Sequence, residues 1–137
     1  MDGLQPPFSG ALNFNMDTEL REQLKTNFRK EVFEMLDLMS SKEEQLDYQA
    51  KAPIAHVSAE LFNQWEDCYQ IPKEQDWYNE AFTDGELSIL KEFDEALEAV
   101  SNDTPQNPPD IHEFVNTPEW ERLSNAASIA LGKLSKI

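Results

Sequence analysis

The sequence predicts an all-α protein, a compact bundle of four main helices with one or two short helices. Apolar residues recur at three- and four-residue spacing in four segments, which is typical of one buried helix face, and no segment alternates convincingly as a strand would. Start signals, in which a hydroxyl-bearing residue precedes an acid, stand before several of these segments. We therefore expect the main helices at residues 18–39, 58–69, 83–100 and 118–135, with linking turns at 42–51 and 73–82.

The 137 residues suit a single domain that can bury a core without disulfides. Residues 1–16 contain two adjacent prolines and no apolar period, so they are predicted to form a flexible N-terminal arm. Residues 17–137 then form one helical domain. Within it, residues 102–110 contain three prolines and no branched aliphatic residue, which predicts a surface loop.

The first helix, beginning at Asp17 or Thr18, has the clearest apolar face. After it, Ser41 and Glu44 have the spacing of a capping box and predict a short helix over residues 42–51. The apolar face of the first helix is predicted to comprise Leu20, Leu24, Phe28, Val32, Met35, Leu36 and Met39.

The later helices are predicted in the same way. Ser58 is expected to cap the second main helix, and Thr83 with Glu86 forms a capping box for the third. Thr117 followed by Pro118 marks the start of the last helix. The apolar side of the second helix is predicted to hold Leu61, Phe62, Trp65, Cys68 and Tyr69, which makes Cys68 a buried thiol rather than a nucleophile.

The net charge of −16 is unevenly distributed, since residues 41–112 alone carry −13. A surface of this kind repels phosphate backbones and anionic lipids, so neither direct nucleic-acid binding nor membrane binding is predicted. The same charge attracts basic partners, although acidic surfaces also serve solubility alone. The single cysteine, the absence of a long apolar run and the lack of a secretory signal predict a cytoplasmic protein.

Several common catalytic and metal-binding motifs are missing from the sequence. One cysteine and two distant histidines do not supply a zinc site, and no HExxH, CxxC or Glu-x-x-His pattern occurs. An EF-hand loop placed around Gly85 puts Lys91 where a bidentate glutamate is required. We therefore predict no metal, no cofactor and no enzymatic activity.

The most distinctive segment combines aromatic rings with acids. Trp77, Tyr78 and Phe82 lie within six residues, and they either complete the core or present exposed anchors inside an acidic rim. The next helix carries four acids around Lys91 on the side opposite its apolar stripe. The predicted partner-binding residues are Trp77, Tyr78, Glu80, Asp84, Asp94, Glu95 and Glu98.

These features favour a non-enzymatic acidic helical protein that binds a basic partner protein. The most specific form of this hypothesis is an inhibitor or immunity protein that neutralises a basic nuclease-like toxin. A structural subunit or homodimer is the alternative, because Phe33, Ile89 and Ile129 lie off the main apolar stripes. A second alternative is an enzyme or small-ligand binder with a pocket between helices near Trp65, Tyr69 and Trp77.

Overall fold

A computed structural model describes the backbone of residues 5–75 and 77–136, and the side chains of residues 18–75 and 77–136. The described part of the chain contains seven α-helices and no strand, so the predicted all-α fold is confirmed. Five helices are longer than two turns and two are single turns. They are α1 (Gln5–Met39), α2 (Lys42–Lys51), α3 (Val57–Trp65), α4 (Tyr78–Ala81), α5 (Asp84–Asp103), α6 (Ile111–Phe114) and α7 (Pro118–Leu134).

Helix α1 is the longest element, and most of the bundle is assembled along its C-terminal half. Its 35 residues span about 52 Å at the usual helical rise. Helix α7 packs along both α1 and α5, whereas α2, α3 and α4 contact α1 elsewhere. The face of α1 that these helices cover holds the buried side chains Phe28, Val32, Met35, Leu36 and Met39.

The N-terminal half of α1 differs from the prediction. The helix begins at Gln5 rather than at Asp17 or Thr18. Leu20 and Leu24, which were expected in the buried stripe, are 53% and 38% exposed. In this part of α1, the side that faces the bundle carries Arg21 and Lys25 instead. Both pair with Glu80 of α4. The flexibility of residues 1–16 stays a prediction, and their side chains lie outside the described part.

Helix α3 is capped differently from the prediction. His56, not Ser58, occupies the N-cap position, and the Ser58 hydroxyl donates instead to the carbonyl of Pro109 at 2.5 Å. This bond ties the start of α3 to the loop before α6. The chain continues from α3 through a five-residue π-helical turn, Glu66–Gln70, and a 3₁₀ turn, Pro72–Glu74.

The remaining elements follow the sequence closely. The predicted capping box at the start of α5 is present in full, and Thr117 caps α7 by accepting a hydrogen bond from the Trp120 amide. Helix α5 continues to Asp103, so the proline-containing loop begins at Thr104 rather than at residue 102. Ile111–Phe114 forms a single helical turn between this loop and α7.

Aromatic rings form two clusters in the core, one around Phe28 of α1 and one around Trp65 of α3. The Trp65 ring stacks on Tyr69 at 4.7 Å and meets Phe93 edge-on at 4.8 Å. Within the described residues, no helix combines the length and apolar character needed to cross a bilayer.

Candidate functional site

The outer face of α5 is the surface on which the predicted acidic residues come closest to forming one site. The outer face of α5 consists of the exposed residues Asp84, Ser88, Lys91, Glu95 and Glu98. At 100° per residue they lie along one side of the helix, opposite the buried Leu90, Phe93 and Leu97. Three carboxylates around one ammonium group leave this face negative.

The capping box fixes where the outer face of α5 begins. Thr83 Oγ1 accepts a hydrogen bond from the Glu86 amide at 3.2 Å, and Glu86 Oε1 accepts one from the Thr83 amide at 2.9 Å. These bonds satisfy two amide groups that lack carbonyl partners at a helix start. They leave the neighbouring Asp84 exposed in the first turn.

Glu86 also anchors α5 to α1. Its two carboxylate oxygens accept hydrogen bonds from the Arg29 guanidinium at 2.7 and 2.6 Å. Arg29 lies over the rings of Phe33 and Phe82, with its central carbon 4.8 and 5.4 Å from their centroids. The hydrogen bonds from Arg29 hold the pKa of Glu86 below its usual range, and those to Glu86 raise the pKa of Arg29.

Asp94, although predicted as part of the acidic surface, has a largely structural environment. Asp94 Oδ1 accepts hydrogen bonds from the Trp65 indole at 2.9 Å and from the Gln70 amide at 2.8 Å, and the Lys73 ammonium lies 3.8 Å from Oδ2. Only 14% of its side chain is exposed. Its charge therefore stabilises the contact between α5 and the π-helical turn.

Gln70 connects Asp94 to Glu98 without neutralising either one. The same amide nitrogen that donates to Asp94 donates to Glu98 Oε1 at 2.6 Å. Because an amide is uncharged, Glu98 keeps its full negative charge at the surface. The structure thus brings Asp94 and Glu98 together, and Glu98 is the member of this pair that faces solvent.

Glu80 lies apart from the outer face of α5. It pairs with Arg21 at 2.8 Å and with Lys25 at 3.2 Å, both on α1, and Lys25 also pairs with Glu22. Hydrogen bonds from Lys25 and Arg21 lower the pKa of Glu80, and the bond to Glu22 is the main cause of the raised pKa of Lys25. Glu80 therefore joins α4 to α1, and its charge is already balanced.

Trp77 and Tyr78 are both half-buried and pack against the core. Trp77 meets the ring of Phe28 edge-on at 5.1 Å, and Tyr78 lies 6.0 Å from the same ring. The Tyr78 hydroxyl is 3.0 Å from that of the buried Tyr69. These contacts place most of their apolar surface against α1 and the π-helical turn, and their role in partner binding stays a prediction.

The structure also shows how far the residues that suggested the two alternative functions are buried. Phe33 and Ile89 are partly buried against the core, whereas Ile129 is 58% exposed. Trp65 and Tyr69 are stacked on each other and almost fully buried. Both alternatives stay predictions.

Cys68 and Tyr69 carry groups that could act as nucleophiles once deprotonated. Their surroundings strongly raise the pKa of both groups. Burial raises the pKa of the Cys68 thiol to about 12. Burial, together with the bond to Tyr78, raises the pKa of the Tyr69 hydroxyl as well. Both shifts favour the neutral forms, which are poor nucleophiles. Among the described residues, no three His, Cys, Asp or Glu side chains are grouped to hold a metal ion.

Sequence reasoning missed Arg29 and Gln70. Glu86 was identified as a capping residue, but its ion-pair partner, Arg29, lies 57 positions earlier in the sequence. Local residue spacing cannot reveal a partner so far away along the chain. Gln70 is an uncharged residue whose importance depends on two acids 24 and 28 positions later. Their roles follow from the packing of the helices.

Comparison of the chain with protein-family models, with curated proteins and with solved structures finds no match.

Proposed function

We propose that this chain is a non-enzymatic helical protein that binds a basic partner protein through the outer face of α5. The observation that carries the proposal is the exposed set Asp84, Glu95 and Glu98, whose negative charges are opposed on that face by Lys91 alone. A fixed row of like charges on a rigid helix attracts an oppositely charged surface over about one Debye length, roughly 8 Å at physiological salt.

The flanks of α5 differ from this face because their acids are paired within the molecule. Glu92 lies 3.0 Å from Lys133, and Asp103 lies 2.7 Å from Arg122, both on α7. On the other flank, Asp94 has Lys73. On α5, the negative charge that remains for a partner therefore lies between the two flanks.

The distribution of basic residues supports the same conclusion. Eight of the eleven lysines and arginines form ion pairs with acids of this chain, so few cations remain to offset the excess of acids. The outer face of α5 lacks such a pairing in the described structure. Electrostatic complementarity of this kind contributes mainly to association rate and specificity.

A more specific form of the proposal is an inhibitor or immunity protein that covers the cleft of a nuclease-like toxin. Clefts that grip phosphate are lined by lysine and arginine, and a helix carrying spaced carboxylates complements them. If the partner is such an enzyme, the native chain should suppress its activity.

Capture from a native lysate of the source organism tests the proposal when two charge-matched variants are compared. Glu95→Gln/Glu98→Gln removes two charges from the outer face of α5, and Glu43→Gln/Glu121→Gln removes two from exposed sites on α2 and α7. We expect one basic protein to be retained by the native chain and by the control variant, to be lost by the α5 variant, and to elute as salt increases. Equal retention by both variants, or retention that ignores salt, would exclude the proposal.

A further inference from the structure

An open groove of about 430 Å³ runs between α1 and the C-terminal end of α7. Its apolar wall is formed by Phe33, Leu131 and Leu134, which are partly buried and also contact the core. Glu34 and Asp37, both exposed, lie along its α1 side. The groove thus combines an apolar strip with a negative rim.

Among the described residues that line the groove, the one cation is already paired. Arg29 lines the groove, but its guanidinium is engaged by both oxygens of Glu86 and by the carbonyl of Ala81 at 3.2 Å. Lys30 Nζ lies 3.9 Å from Glu34 Oε1, and both side chains are largely exposed, so this pair is weak. Among the described residues that line the groove, Glu34 and Asp37 are therefore the charged groups left for a ligand.

We propose that this groove binds an amphipathic helical segment of a basic protein. Apolar side chains on one face of the segment lie against Phe33, Leu131 and Leu134, and lysines or arginines beside them pair with Glu34 and Asp37. The lining from Arg29 to Asp37 extends about 12 Å along α1, which accommodates about two turns of a docked helix. Charge complementarity favours a basic occupant over an acidic or neutral one.

This surface is distinct from the one in the proposed function. Glu86 projects into the groove from the side of α5 that is roughly opposite Asp84, Glu95 and Glu98, since residue positions differ by 100° each. The two inferences share only the basic character of the partner. Changes on the outer face of α5 are therefore expected to leave binding in the groove unchanged.

The test uses a synthetic peptide of about twelve residues, or about three helical turns, made of leucine and lysine with the leucines on one face. An isomer of equal composition with scattered leucines has the same charge but no apolar face. Titration into the isotopically labelled full-length chain, followed by amide chemical shifts, is expected to give its largest changes around Phe33, Asp37 and Leu134. The isomer is expected to bind more weakly and without that pattern.

Substitutions of residues that line the groove test whether the peptide binds there. Leu134→Ala and Asp37→Asn are each expected to weaken the peptide at least about fivefold, the usual effect of truncating an energetically important interface residue. The matched controls, Leu20→Ala and Glu43→Gln, alter an exposed leucine and an exposed acid outside the groove. Shifts centred on the outer face of α5, equal binding of the two peptides, or absence of binding would each overturn the inference.

Discussion

At the scale of single residues, Arg29 joins α1 to the start of α5. It contacts Glu86 through two hydrogen bonds, the Ala81 carbonyl through one, and the rings of Phe33 and Phe82 through its flat face. Glu86 is only 5% exposed, so its charge depends on this partner.

Replacing Arg29 by methionine should lower the free energy of unfolding by about 1–3 kcal/mol. This is less than the loss of a fully buried partner costs, because 40% of the Arg29 side chain is exposed to solvent. Urea denaturation measures the change, and the same substitution in a Glu86→Gln background is the control. The cost should be clearly smaller there, and an equal cost in both backgrounds would show that the two residues are not coupled.

The same pair predicts a dependence of stability on pH. Arg29 lowers the pKa of Glu86 in the folded chain, so the folded state holds this proton less tightly than the unfolded state. The stabilisation is therefore complete above the ordinary glutamate pKa, about 4.5, and is lost as the pH falls through the lower folded pKa. Between about pH 5 and pH 3, the urea midpoint of the native chain should fall more than that of Glu86→Gln. Parallel curves would contradict this.

The raised pKa of Cys68 predicts an unreactive thiol. With its pKa raised from 9.0 to about 12, the thiolate population at pH 8 is about a thousandfold lower in the folded chain than in the unfolded one. A thiol-specific reagent should therefore react slowly with the native chain and rapidly in urea. Comparable rates in the two conditions would mean that the surroundings of Cys68 do not suppress ionisation.

At the scale of elements, local signals predicted most helix starts correctly. The capping box of Thr83 and Glu86 and the cap at Thr117 are formed by residues three positions apart, so the sequence contains all the information needed. The start at Ser58 was wrong because its hydroxyl is used by Pro109, 51 positions later. A residue with two possible partners cannot be assigned from spacing alone.

The start of α1 shows why adjacent prolines were misleading. Pro6 and Pro7 were part of the reason to predict a flexible arm, but they are the second and third residues of a helix that begins at Gln5. Amides in a first helical turn have no intrahelical acceptor, so a missing N–H there costs little. The prolines are thus compatible with a helix start.

The capping box gives a prediction for α5 as an element. Thr83→Ala removes the oxygen that accepts from the Glu86 amide and should destabilise the protein by about 1 kcal/mol in thermal or urea unfolding. Ser88→Ala, at an exposed position in the middle of the same helix, is the matched control and should have little effect. A loss at Ser88 as large as that at Thr83 would contradict the role of the cap.

At the scale of the whole molecule, the sequence predicted the sign and location of the charge but not which acids are available. Of the seven predicted binding residues, Glu80 is paired with α1 and Asp94 is held by Trp65, Gln70 and Lys73, through contacts between distant segments. Asp84, Glu95 and Glu98 remain exposed because they lie on the side of α5 away from the core. Helical periodicity was enough to predict which side of α5 faces solvent. The pairing of Glu80 and Asp94 depends on how distant helices pack, so periodicity could not predict it.

The most direct test of the proposed function is the association rate of the purified partner with the chain, measured by rapid mixing as ionic strength is increased. The native chain and Glu43→Gln/Glu121→Gln should associate rapidly at low salt and more slowly as salt increases. Glu95→Gln/Glu98→Gln should associate about tenfold more slowly at low salt, with a weaker salt dependence. Equal rates for the two charge-matched variants at every ionic strength would contradict binding through the outer face of α5.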